Sequence, residues 1–234
     1  MNITVTGYQG FIGKKVFIKL AALGHDVDGV EIGEKVPKSD VIIHCGALLD
    51  NSAEMAENNL GLTSSVVRKA NKVVFTSSAA VYPDKKRKWK ETDEPNPITN
   101  YGIVKLLEEG IIRRNVKNYS ILRLSNVWGY DSDHGVISNI MREKFVMNGD
   151  GQQVRDFIFV EDVVNVLIEA ALTDKWNGIY NISTGRGITI EEIYKRLGCS
   201  DEVKQNKKKV EEIYYSVLSN RKARKKGFKP TIIL

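Results

Sequence analysis

Tyr101 and Lys105 stand four residues apart in YGIVKLLEEGIIRRNV, a segment whose apolar residues recur at helical spacing. On a helix that spacing sets a phenol and an ammonium on one face. A fixed positive charge beside a phenol favours the phenolate and is expected to lower its pKa from about 10 toward neutrality. Such a group could take a proton from a hydroxyl while hydride leaves the carbon that bears it. Y-x-x-x-K is common by chance, so its position gives it weight. It opens the helix that follows a strand ending in Thr76-Ser77-Ser78.

A hydride needs an acceptor, and the start of the chain offers a place for one. Gly7, Gly10 and Gly13 form G-x-x-G-x-x-G between the β-rich run NITVT and the helical run KKVFIKLAALG. The first glycine permits a tight turn, the second lets backbone approach a pyrophosphate, and the third lets helix pack closely on strand. The helix N-terminus adds free N–H groups and partial positive charge. Glu31, 18 positions after Gly13 and at the end of the next strand, is placed to accept hydrogen bonds from a ribose 2′-hydroxyl. Together these point to a bound dinucleotide. Glu31 favours NAD over NADP, because a 2′-phosphate would meet a carboxylate; Lys35 or Lys38 would have to offset that for NADP.

The elements that must carry these groups alternate. Strand, glycine turn, helix and strand fill about the first 30 residues, a βαβ unit implying a parallel sheet. VIIHCGA, KVVFTSSAAVY, YSILRLSNVWG and GIYNIST read as further strands, with helices between them. The expected class is α/β, a doubly wound parallel sheet of the Rossmann type. Of 35 Lys plus Arg and 29 Asp plus Glu, residues 201–234 hold ten basic and four acidic, so residues 1–200 are balanced and the +6 excess is a basic tail. That argues against a nucleic-acid-binding domain. No apolar run approaches the ~20 residues of a membrane span, and the start does not resemble a signal peptide. Cys45 and Cys199 are distant and form no C-x-x-C pair, so neither a disulfide framework nor a metal site is expected and a reducing cytoplasm is the default.

With these motifs in order along nearly the whole chain, the sequence resembles the extended short-chain dehydrogenase/reductase family, in its branch of NAD-dependent nucleotide-sugar epimerases and dehydratases. GYQGFIG is similar to that family's cofactor turn, VIIHCGA to its V-I-H-x-A-A strand, and NYGIVK to its catalytic helix start. LRLSNVWG and GDGQQVRDFIFVEDVV resemble its L-R-x-x-N-x-x-G and R-D-[FY]-[IV]-x-V-x-D segments. The resemblance implies that Ser78 hydrogen-bonds the reacting hydroxyl, with Ser77 in its place if the register slips by one. Tyr101 would be the acid/base group and Lys105 its partner, also bonded to the nicotinamide ribose. Gly7, Gly10, Phe11, Ile12, Gly13, Glu31 and Ala47 would contact the cofactor, and Asn126 and Arg155 the substrate's diphosphate. Asp162 matches a structural position. The family also suggests a homodimer through two long helices.

Two departures stand out. Only IGEKVPKS separates Glu31 from Asp40, too short for a parallel crossover of a dozen or more residues. The third strand of the usual order is therefore expected to be missing, leaving the second at a sheet edge. The C-terminal region is also short. The expected organisation is an NAD-binding domain over 1–172, with 130–158 contributing to the substrate site, and a reduced substrate lobe with a basic tail over 173–234. Dehydratases of the family carry an acidic pair after a threonine where this chain has Ser77-Ser78, so elimination is disfavoured. His134 lies near a second acid/base position of related epimerase–reductases, but a loop histidine is ordinarily solvated. Trp89, among lysines, reads as part of a solvated loop. The expected activity is epimerisation of a nucleotide-diphosphate sugar, at C4, through a transient 4-keto sugar. A nucleotide-sugar reductase and a non-catalytic dinucleotide sensor are the alternatives.

Overall fold

A computed structural model of the chain describes residues 1–50, 52–142, 145–199, 205–206 and 213–234. Lys204, Lys207, Lys208 and Lys209 of the basic tail lie outside the described residues. Six parallel strands form the central sheet: β1 (Asn2–Thr6), β2 (Asp26–Val30), β3 (Ser39–His44), β4 (Ala70–Ser78), β5 (Asn118–Leu124) and β6 (Gly178–Ile182), in the spatial order β2-β1-β3-β4-β5-β6. The central residues of β3 and β4, 41–43 and 73–75, are apolar on both faces, as strands covered on both sides must be. Helices α1 (Phe11–Ala22), α2 (Ala53–Val67) and α3 (Asn100–Asn115) link the early strands; α4 (Val136–Met141) and α5 (Val160–Leu172) follow β5. Val16 and Leu20 of α1 and Val163, Val164 and Leu167 of α5 fill one face of the sheet. Leu62 and Val66 of α2 and Ile112 of α3 fill the other.

β2 is the sheet edge, as the short Glu31–Asp40 interval implies. The same interval corrects the other half of that expectation. Residues 31–38 do make a parallel crossover, and they do it without a helix. Eight extended residues reach about 26–29 Å, enough to run back beside a five-residue strand of roughly 16 Å and step across β1. A turn at Gly33 (φ +90°) starts the return, and Val36 is buried against Val30, Ile42 and Val73 where a helix would otherwise cover the sheet.

Beyond the sheet, residues 88–89, 154–155, 188–189 and 215–218 form a small four-stranded sheet, and residues 126–128 pair with 157–159. α4 and α6 (Ile190–Arg196) pack together through Ile137, Ile140, Ile190 and Ile193. The central sheet takes a strand from beyond residue 172, and residues 154–155 join the small sheet, as a contribution of 130–158 to the substrate side requires. β6 belongs to the central sheet, with α7 (Arg221–Lys225) packed on it, while Arg155 belongs to the small sheet. Trp89 is likewise corrected: it is 5% exposed and stacked on Tyr82, 5.5 Å between centroids, with the Arg87 guanidinium over its ring. Among the described residues no helix is long and apolar enough to cross a membrane.

One buried ion pair ties the two sheets together. Arg123 on β5 donates to both oxygens of Glu109 on α3 (2.9 and 2.7 Å) and to the Tyr82 hydroxyl (2.7 Å), and that hydroxyl contacts Asn181 on β6 (3.0 Å). Both charges are excluded from water. Arg123→Met, which leaves Glu109 buried and unpaired, is expected to cost about 3–5 kcal/mol. Urea denaturation of the variant beside the parent checks this.

Candidate active site

Val30, Thr6, His44, Phe75 and Ile121 are register partners across the sheet, so Glu31, Gly7 and Cys45 leave its carboxyl edge together, while β4 and β5 run on past that row to Ser78 and Leu124. That edge, where the strand order reverses, is where open α/β sheets bind ligands.

The glycine turn is built as its spacing implies. Gly7 has φ +66°, and a Cβ there would lie 2.6 Å from the Gly46 Cα. A Cβ at Gly13 would lie 2.1 Å from the Gly7 carbonyl oxygen, so α1 can approach β1 only with glycine at that position. Gly10 differs: its φ is ordinary, −73°, and a Cβ would meet only the Gly7 oxygen, at 3.2 Å. No acidic side chain occupies the first turn of α1 and none caps it, which leaves its N–H groups, over Phe11, Ile12 and Gly13, to an anion. Glu31 accepts from the Gln9 backbone N–H (2.8 Å) and is thereby held against the turn. Lys38 is removed as a 2′-phosphate ligand, because its carbonyl is bonded to Asn2 at the opposite end of β1. Ala47 follows Gly46 in a segment that buried Asn59 of α2 pins through both the N–H and the C=O of Leu48 (2.8 and 3.0 Å).

On α3, Thr99 caps the helix by accepting from the Gly102 N–H (3.1 Å), which fixes Tyr101 in the first turn. Gly102 is required there: a Cβ would lie 2.2 Å from the Ala80 carbonyl oxygen. The helix can therefore press against the end of β4, where Ser78 lies beside the Tyr101 side chain. The two serines have different partners. Ser77 donates to Glu109 at 2.5 Å and is committed to the structural network. Tyr101 and Lys105 share a face, with Nζ 5.9 Å from the Tyr101 ring centroid and 4.6 Å from that of Phe75.

Lys105 is buried, and its ammonium lies 3.1 Å from the Glu108 carboxylate. The contact is an ion pair whose angles fall short of a hydrogen bond, so the Nζ donors have no aligned acceptor among the described residues. An unspent buried donor set beside the glycine turn fits the ribose hydroxyls of a nicotinamide nucleotide. The electrostatics correct one expectation. The Tyr101 phenol is raised above its ordinary pKa. Burial is the largest cause; Lys105 pulls the other way, Glu108 adds to the rise, and the Ser78 side chain lowers it. The spacing argument counted the ammonium but neither the desolvation nor the carboxylate behind it. His44 is held neutral, its pKa lowered to about 3 by burial and then by Lys105.

Asn126 donates from its backbone and its side chain to the Asp156 carbonyl (2.9 and 3.2 Å), which places it next to Arg155. The buried Arg155 side chain also donates to the Tyr214 carbonyl (3.4 Å). Asp156, given no role by its sequence pattern, clamps the 184–185 turn by accepting from Thr184 N–H, Thr184 hydroxyl and Gly185 N–H. Asp162 anchors Thr231 (2.9 and 2.8 Å). His134 is exposed in the turn before α4. Thr63, Glu108 and Glu109 were missed as partners of the site. Lys105, Glu108 and Glu109 sit at i, i+3 and i+4, a signal that was available.

Residues 30–183 match the NAD dependent epimerase/dehydratase family. A curated relative, a putative UDP-glucose 4-epimerase of Methanocaldococcus jannaschii, is 31% identical over 291 aligned positions, covering 99% of this chain and 94% of its own. The alignment is longer than the 234-residue chain, so the relative carries insertions. Among solved structures, UDP-glucose 4-epimerase of Thermotoga maritima with UDP-glucose is similar at TM-score 0.83 and 26% identity, covering 100% of this chain and 94% of that one. UDP-N-acetylglucosamine 4-epimerase of Methanobrevibacter ruminantium M1 is similar at TM-score 0.78 and 25% identity, covering 98% and 92%. The chain belongs to the NAD-dependent epimerase/dehydratase family, and its cofactor is NAD.

The glycine geometry separates fold from binding. Gly13→Ala is expected to lower stability by about 1–3 kcal/mol through overpacking. Gly10→Ala is expected to melt closer to the parent while losing NAD affinity. Thermal unfolding paired with NAD titration of both variants checks the split.

Proposed function

We propose that the chain is an NAD-dependent UDP-sugar 4-epimerase. The observation that carries the reading is Tyr101, beside Ser78 and backed by buried Lys105, at the carboxyl edge of the sheet that also bears the glycine turn. NAD supplies a hydride acceptor that later returns the hydride, so the cycle has no net redox change. The Tyr101 oxygen accepts the proton of the sugar 4-hydroxyl and returns it to the same oxygen once the transient 4-keto sugar has turned its other face toward the returning hydride. Ser78 orients that hydroxyl. Lys105 stabilises the charge that gathers on the phenol and holds the nicotinamide ribose. Asn126 and Arg155 hold the diphosphate, whose oxygens match the guanidinium fork. The named 4-epimerase relatives support the substrate class, and the Ser77–Glu109 bond supports Ser78 as the working hydroxyl. The reducing cytoplasm, in which Cys45 and Cys199 stay free thiols, is its proposed location.

We also propose a homodimer through α2 and α3. Ile103 and Leu107 are exposed on one face of α3 (44% and 51%), and nothing in the chain lies within 4 Å of a Cβ built at Gly61 or Gly110. Leu107→Arg should convert the dimer to monomer in sedimentation velocity; an unchanged sedimentation coefficient would count against this interface.

Incubation of the NAD-loaded protein with UDP-glucose should yield UDP-galactose without accumulation of NADH. Tyr101→Phe is expected to lower kcat by about 10²–10⁴-fold. Undiminished turnover in that variant would remove Tyr101 from the chemistry, and stoichiometric consumption of NADH would identify a reductase.

A further inference from the structure

Beneath Lys105 runs a chain of buried polar groups that the epimerase reading leaves unused. Thr63 on α2 donates to Glu108 Oε1 (2.7 Å), and His44 Nε2 lies 2.8 Å from the same Thr63 oxygen. Because the Thr63 hydrogen is spent on Glu108, Thr63 must accept from His44, which fixes His44 as the Nε2–H tautomer. His44 Nδ1 therefore accepts from Thr6 (2.7 Å), and the Thr6 oxygen accepts the Gly46 N–H (3.1 Å). Every donor and acceptor is used once, in one direction, from Gly46 against the glycine turn to the carboxylate against Lys105. Thr6, His44, Thr63 and Glu108 are all fully buried. Thr63 delivers a proton donor to one carboxylate oxygen, and the Lys105 ammonium approaches the other at 3.1 Å, so the arrangement is that of an ionised acid.

We propose that Glu108 is a positioning residue that fixes Lys105 under Tyr101 and sets how much of the lysine charge the phenol feels. The proposal rests on Tyr101 as the acid/base group. An isolated ammonium beside the phenol would favour phenolate strongly. An anion 3.1 Å behind that ammonium cancels part of its field, and Thr63 and His44 hold the anion in register. The other titratable groups around the pair carry little net charge toward it. His44 and Cys45 at the end of β3 are neutral, with Cys45 pushed up to about 12 by burial. Glu109 on α3 is matched by Arg123 on β5.

The sign follows. A carboxylate near a phenol disfavours the phenolate, and without it the phenolate is the ammonium's remaining counter-charge, so removing the carboxylate's charge lowers the phenol's midpoint. Ultraviolet difference titration of the purified chain against its Tyr101→Phe variant isolates the Tyr101 ionisation. The same difference taken in Glu108→Gln should show a midpoint lower by about one pH unit or more. Glu108→Asp keeps the charge but withdraws it by one methylene, and should fall between the two. It serves alone if the Gln variant does not fold. A midpoint in Glu108→Gln equal to or above the parent's, or in Glu108→Asp above it, would overturn the proposal. The titration reads the phenol itself, so its outcome is separate from whether UDP-sugars turn over.

Discussion

An ammonium that water cannot reach is the constraint on which the carboxyl edge of this sheet depends. Burying a charge is costly unless an opposite charge meets it. Burial pushes Lys105 toward its neutral form, and Glu108 leads the groups that outweigh it, leaving the lysine pKa raised. That outcome requires α3 to lie close to β3 and β4. Closeness requires a glycine where the helix crosses Ala80, a cap that starts the helix at Thr99, and neutral neighbours at the end of β3. The identities of Gly102, Thr99 and His44 thus follow from one charge as much as from their own local geometry.

Two adjacent acids divide the work. Glu108 points at Lys105 and Thr63, toward α2 and β3. Glu109 points at Arg123 and Ser77, toward β4 and β5. The second pair is bidentate, which fixes rotation as well as distance. It locks α3 about its own axis, and that orientation is what brings Tyr101 over Ser78. Tyr82 and Asn181 extend the lock to β6 and, through the Trp89 carbonyl, to the small sheet that carries Arg155. The phenol and the Arg155 side chain are therefore referenced to the same buried guanidinium.

Local signals were legible where a motif is short and its reason is local. The glycine turn, the β2 edge and the shared face of Tyr101 and Lys105 are consequences of spacing within a few residues. His44 read correctly as a satisfied interior group, because an apolar strand leaves little else for it. What escaped depends on separation. Thr63 lies 45 positions from Glu108 in sequence, and nothing near either one names the other. That Glu109 claims Ser77 was likewise out of reach. The direction of the Tyr101 shift was misjudged because desolvation is a property of the assembled site, and a count of nearby charges omits it. Trp89 was misjudged because lysines flank it in the chain, whereas Tyr82 covers it in space.

The shortened crossover shows which part of the architecture the chemistry can do without. A helix between β2 and β3 would cover the sheet face and add an outer strand beside β2. Here Val36, with partly buried Ile32, restores apolar cover to that face, and eight residues suffice for the backbone to turn and return. None of the links from Gly46 through His44, Thr63 and Glu108 to Lys105 passes through that interval. Nor does the lock from Ser77 through Glu109 to Arg123. The phenol, its ammonium and the buried polar groups behind them are carried by β1, β3, β4, β5, α2 and α3. Residues 31–38 touch it only through Glu31, on the far side of the glycine turn. Reduction of this edge therefore bears on how the outer end of the dinucleotide is enclosed, and leaves the phenol, its serine and its ammonium where the central strands put them.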